Sequence, residues 1–101
     1  MRAFISQPMN GKATAEIISQ REKAIKSLKS KYGEDVEIIE SFFKDAVHND
    51  APLWFLGKSI ELLATADVAY FCKGWEDARG CRIENTCAIE YGIEVIEDYR
   101  G

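Results

Sequence analysis

Asp67-Val68-Ala69-Tyr70-Phe71-Cys72 carries five apolar residues in a row behind a single acid. A half-solvated strand would alternate apolar with polar side chains; this run does not. It reads as a strand buried on both faces, the usual condition of a parallel sheet. Immediately upstream, Pro52 fits the first turn of a helix reaching to about residue 66, with Leu53, Leu56, Ile60 and Leu63 at i, i+3, i+7 and i+10. Residues 40–50 show no clean period and read as a loop. Residues 36–39, three of them β-branched, read as a short strand. Further back, Ile18, Ile25, Leu28 and Tyr32 recur at helical spacing between Thr14, read as the N-cap, and Gly33, read as the stop. Residues 7–12, with Pro8 and Asn10-Gly11, form a loop behind a first strand at residues 2–6.

Downstream, residues 73–80 read as a loop and residues 81–91 as a helix with Ile83, Cys87 and Tyr91 on its inner stripe. Gly92 stops that helix, residues 93–96 form a last strand, and the polar tail from Glu97 is expected to fray. The alternation βαβαβαβ calls for an α/β three-layer sandwich around a four-stranded parallel sheet. Right-handed crossovers give it the order 2-1-3-4. Such a sheet has a switch point between its first and third strands, and ligands bind there at the carboxyl ends. The loops at residues 7–12 and 73–80 flank that crevice.

Composition restricts the rest. The 101 residues make a single domain, with 47% hydrophobic and 30% charged residues arguing for a globular chain. Thirteen Lys and Arg against seventeen Asp and Glu leave a net charge of −4, which argues against a nucleic-acid polymer as partner. No apolar run approaches the roughly 20 residues of a membrane span, and no signal peptide is visible. Cys72, Cys81 and Cys87 are odd in number and lack zinc spacing, so they read as reduced thiols of a cytoplasmic protein, without metal or cofactor. Arg21, Lys23, Lys26, Lys29 and Lys31 read as a solvated helix face. Trp54-Phe55-Leu56 places three large residues on successive helix positions about 100° apart, so one of them needs cover from the 40–50 loop or a second chain. A homodimer or higher homo-oligomer is expected on that ground.

The crevice loops hold the chemistry. Glu84 falls in the first turn of the third helix, where the dipole favours an ionised carboxylate. Such a group can attack a sugar C1, or can simply compensate the dipole. Trp75 is placed to stack a base, or to fold onto the domain; Glu76 and Asp77 supply acids for a proton or a sugar hydroxyl. Arg79 and Arg82 stand where a phosphate would be welcome, with Arg82 alternatively pairing Asp77 or Glu76. Gln7 and Asn10 offer donors and acceptors suited to a base edge or ribose, or serve the turn.

Three features together resemble the nucleoside 2-deoxyribosyltransferase-like superfamily, most closely its small, mostly uncharacterised bacterial and phage branch. They are Phe4-Ile5-Ser6-Gln7-Pro8-Met9-Asn10-Gly11, the segment from Leu62 to Phe71 with Ala66-Asp67, and Gly80-x3-Glu84-x3-Ala88-x3-Gly92. The resemblance implies a flavodoxin-like fold, a nucleoside or nucleotide ligand, cleavage or exchange of an N-glycosidic bond, and dimers in which a neighbour helps close the pocket. It makes Glu84 the nucleophile; Asp77 or Glu76 then stands in for the missing acid, and the crevice reading puts Gln7, Met9, Asn10, Ser59, Trp75, Arg79 and Arg82 around the ligand. Four positions depart from the pattern: Phe4 replaces a tyrosine, Ser59 and Ala78 each replace an acid, and Gln7 replaces a glycine. A non-catalytic nucleotide-binding module and a protein-interaction domain with a vestigial crevice are the alternatives.

Overall fold

A computed structural model describes residues 1–41 and 52–99. Its elements are β1 (Arg2–Ser6), α1 (Thr14–Tyr32), β2 (Glu37–Ile38), α2 (Pro52–Leu63), β3 (Val68–Phe71), a 3-10 turn (Trp75–Asp77), α3 (Arg79–Glu90) and β4 (Glu94–Glu97). The four strands form one all-parallel sheet in the order β2-β1-β3-β4, as the alternation requires. Ala3 pairs with Val68 and Ser6 with Phe71, while Val68 pairs with Glu94 on the other side.

Both neighbours of β3 are strands and both its faces are covered, so all four of its residues are buried. Ala3, Ile5, Val68, Tyr70 and Cys72 pack under Ala24 and Leu28 of α1. Phe4, Ala69 and Phe71 turn to the opposite face and meet Leu63 of α2 and Ala88 of α3. Burial of each large side chain is worth about 1.5–3 kcal/mol, and this two-sided strand contributes to the core on both faces of the sheet.

Several boundaries and faces differ from the sequence reading. Ala13, in extended conformation, is the N-cap of α1 and Thr14 is already helical; the Ala13 N–H donates to the Glu16 carboxylate at 3.3 Å. The inner stripe of α1 is Ile17, Arg21, Ala24 and Leu28, so Ile18 faces out and Arg21 is not on the solvated face. Gly33 does end α1, its N–H meeting the Lys29 carbonyl at 2.8 Å. The second strand keeps only two paired residues. Helix α2 stops at Leu63, because Ala66 bonds back to Leu63 and the Thr65 hydroxyl takes the Leu62 carbonyl, tightening the last turn. Leu53 at its start is 77% exposed rather than core. The loop expected at 40–50 lies, beyond Ser41, outside the described residues.

The largest shift is in α3, which begins at Arg79 instead of 81. A 3-10 turn carries the chain from Trp75 to Ala78, whose extended backbone makes it the N-cap. The inner face is Cys81, Glu84, Asn85 and Ala88, at i, i+3, i+4 and i+7. Ile83 and Tyr91, expected inside, point outward, with Tyr91 84% exposed. Two polar residues occupy inner positions, so counting apolar side chains selected the wrong face. Strand β4 is shifted one residue, to Glu94–Glu97, and the tail after it is held rather than frayed as far as it is described. The Asp98 N–H reaches the Phe71 carbonyl at 2.9 Å, and the Tyr70 hydroxyl donates to the Asp98 carboxylate at 2.8 Å.

Candidate functional site

The carboxyl ends of β1 and β3 open onto a cavity of about 1030 Å³. That is the switch-point crevice of a doubly wound sheet, and its size reaches the upper end of ordinary small-molecule pockets. One wall is the chain leaving β1, from Ser6 through Lys12. A second is the chain from Asp77 into the first two turns of α3, and a third is formed by Pro52, Phe55, Leu56 and Ser59 of α2. Gly74 brings the first two walls together: at φ 92° it makes a left-handed turn, and an added Cβ would stand 3.4 Å from the Pro8 ring.

Glu84 forms part of the lining and is only 7% exposed. With α3 starting at Arg79 it is the sixth helical residue, in the second turn, so the first-turn dipole argument does not apply to it. What holds its charge is local. The Ser6 hydroxyl donates to Glu84 Oε1 at 2.6 Å, and Ser59 of α2 lines the same cavity. Burial pushes the carboxyl above its ordinary pKa, and the two serine hydroxyls pull it back toward ionisation. No arginine or lysine pairs with it among the described residues.

Around the mouth stand Lys12, Arg79, Arg82 and Asp77, all exposed. Arg82 donates to the Glu76 backbone carbonyl at 2.9 Å and, among the described residues, pairs with neither the Glu76 nor the Asp77 carboxylate. The α3 N-terminus has no side-chain cap, so its first N–H groups face this rim with only an alanine before them. Cys81 lines the cavity one turn before Glu84; burial raises its thiol to about 11, against the pull of Ser6. Cys72 is pushed to about 12, chiefly by burial, and all three cysteines are free.

Of the residues singled out from sequence, Glu84, Asp77, Met9, Asn10, Ser59, Arg79 and Arg82 come together here. Two do not join the lining. Trp75 packs on Phe71 at 5.7 Å and on Tyr99 at 6.3 Å between ring centroids, on the domain body, and Glu76 points into solvent. Of the two readings of Trp75, stacking a base is thereby corrected and folding onto the domain is the one realised: the 3-10 turn carries its ring toward β3 and the tail. Gln7 borders the cavity, yet its side-chain amide is turned to α1, donating to the Ile17 carbonyl at 2.9 Å and to Gln20 at 3.2 Å. It anchors the loop rather than reading a ligand edge.

Ser6, Lys12, Ser41, Phe55 and Leu56 join the lining without having been singled out as site residues. Ser6 was the most accessible to sequence reasoning: a hydroxyl ends an otherwise apolar strand, at the end where the crevice opens.

Fold and site together define an α/β protein with a switch-point crevice, a buried carboxylate inside and cations at its rim. No protein-family model, curated protein or solved structure matches the chain.

Proposed function

We propose that the chain binds a nucleoside or nucleotide in this crevice and cleaves or exchanges its N-glycosidic bond through Glu84, as the resemblance to the nucleoside 2-deoxyribosyltransferase-like superfamily implies. The observation that carries the reading is the Glu84 carboxylate, buried, lining the cavity, and held by the Ser6 hydroxyl, with no cation paired to it among the described residues. A carboxylate paired with arginine would be a poor nucleophile; this one keeps lone-pair density for the ligand.

In the forward step a Glu84 oxygen gives its electron pair to C1′. The C1′–N bond breaks, and its pair leaves with the base, which takes a proton from Asp77 or from water. Water, or a second base, then displaces the glutamyl ester and restores the carboxylate. Positive charge grows on the sugar in that transition state, and a desolvated carboxylate stabilises it more strongly than a hydrated one. Lys12, Arg79, Arg82 and the uncapped α3 N-terminus favour an anionic substituent at the mouth, so a nucleoside monophosphate suits the cavity better than a free nucleoside. The Ser6 hydroxyl takes the place of the hydroxyl lost with Phe4.

One observation favours the second reading, a non-catalytic nucleotide-binding module. Asp77, exposed at the mouth, is the one other carboxylate lining the cavity among the described residues, so protonation of the leaving base has a single and solvated donor. Incubation with deoxynucleosides and their monophosphates, followed by chromatography for free base, separates the two. Release supports the enzyme; binding without release supports the module.

The pH profile of release gives a further check. Glu84 must be ionised to attack, so turnover falls on the acid side as its raised pKa is passed. Ser6→Ala removes a hydrogen bond that favours the charged form, so the acid limb is expected to move to higher pH. An unmoved limb would show that the titrating group is not Glu84.

We also propose that two copies associate through the start of α2, where Leu53 is 77% and Trp54 47% exposed. Size-exclusion chromatography at high micromolar concentration should give a dimer that Leu53→Asp converts to monomer. A monomer from the unaltered chain would remove this proposal. The expected compartment is the cytoplasm, where three free thiols stay reduced; among the described residues no helix is long and apolar enough to cross a membrane.

A further inference from the structure

Ser41, just beyond β2, has a hydrogen-bonding state fixed by its neighbours. Glu37 and Ile39 donate their N–H groups across to the Met1 and Ala3 carbonyls at 2.8 and 2.9 Å. The next acceptor in that row is the Ile5 carbonyl, which takes its bond from the Ser41 hydroxyl at 3.0 Å instead of from a backbone N–H. Ile5 is buried, so withdrawing that proton would strand a carbonyl away from water.

The oxygen side is also committed. Arg21, only 8% exposed, donates Nη2 to the Ile39 carbonyl at 2.9 Å and Nη1 to Ser41 Oγ at 3.4 Å. A serine hydroxyl has one proton and two lone pairs. With the proton on Ile5 and one lone pair facing Arg21, a single acceptor lone pair is left among the described residues, on a residue that lines the cavity.

The part of a ligand that meets it follows from the position of Glu84. The base leaves the sugar at C1′ and the 5′ substituent at C4′, on opposite sides of the ring oxygen. Glu84 fixes C1′. Arg79, Arg82 and the α3 N-terminus follow β3, on one side of β1, whereas Ser41 follows β2, on the other side; Gly80 is four residues, about 6 Å along the axis, from Glu84. With the anionic substituent at α3, the base is directed toward the β2 side of the cavity, whose lining there includes Ser41.

We infer that Ser41 selects the base, its remaining lone pair accepting from an exocyclic amine, so that cytosine is preferred to uracil or adenine to hypoxanthine. Each pair has nearly the same shape and exchanges a donor N–H₂ for an acceptor C=O, which would face the Ser41 oxygen lone pair to lone pair. The inference rests on the nucleotide reading above. Arg21 acts here as a positioning residue, holding the serine oxygen and the end of β2 together.

Calorimetric titration of Glu84→Gln protein with dCMP, dUMP, dAMP and dIMP tests it without turnover. The amine member of at least one pair is expected to bind about 10-fold more tightly. In Ser41→Ala, made in the same background, that ratio should fall to within about 2-fold, and Ser41→Thr, which keeps the hydroxyl, should retain it. Equal or inverted affinities in both pairs overturn the inference, as does an unchanged ratio in folded Ser41→Ala. If that variant does not fold, the two ratios in the serine-containing protein still decide. A preference in binding with no base release by unsubstituted protein leaves Ser41 standing and removes the glycosidic chemistry; release without preference does the reverse. Binding of none of the four removes both.

Discussion

Glu84→Gln is expected to lower free-base release by about 10³-fold or more while the protein stays folded. The amide keeps the shape and can still accept from Ser6, but it carries no charge to stabilise the sugar cation and is a far weaker nucleophile. Stability should move the other way. Burial raises the Glu84 carboxyl above its ordinary value, so the folded state binds that proton more tightly than the unfolded chain does. The group's contribution is fully present below the unfolded pKa and is lost as pH rises through the raised folded pKa. At neutral pH the substitution therefore removes a buried charge, and the melting temperature should equal or exceed that of the unsubstituted protein. The difference should shrink on acidification. Parallel melting curves at several pH values check this, and a loss of several degrees at neutral pH would return Glu84 to a structural role, with turnover then needing another nucleophile.

The two halves of that expectation draw on different information. That Glu84 belongs to the crevice follows from its spacing to Gly80 and from the strand-helix alternation, both visible in the chain. That it is buried, in the second turn of α3, does not. Its inner stripe pairs Cys81 and Ala88 with Glu84 and Asn85, and the Asn85 amide bridges to Glu97 of β4 at 3.0 Å. A helix that turns polar groups inward to serve a site and a strand edge hides its orientation from any apolar count. Arg21 is the same case on α1: charge alone placed it in solvent, yet the Ile39 carbonyl and the Ser41 hydroxyl give it a buried position. The sheet order was legible because it depends on burial of whole strands. Val68 to Phe71 admits no other reading, and right-handed crossovers do the rest. The direction of Trp75 was not, since a one-turn 3-10 element sets it and leaves no period to read.

Phe71→Ala is expected to be the most damaging single core change for fold and site together. Phe71 is fully buried on the α2–α3 side of the sheet, where it packs with Phe4, Leu63 and Ala88. Truncating such a ring costs about 3–5 kcal/mol, a large share of the roughly 5–15 kcal/mol a domain of this kind has. The melting temperature should fall by more than about 10 °C. The same ring supports Trp75, which in turn meets Tyr99, and the Phe71 carbonyl holds the Asp98 N–H. Loss of the ring loosens the 3-10 turn from which Asp77 and Ala78 lead into α3, so nucleotide affinity should drop even in the fraction that remains folded at low temperature. Tyr91→Ala is the internal control: on an outward-facing residue it should change stability by no more than about 0.5 kcal/mol. If Tyr91→Ala proved as damaging as Phe71→Ala, α3 would have to be rotated to the face that its apolar spacing first implied, and Glu84 would leave the cavity with it.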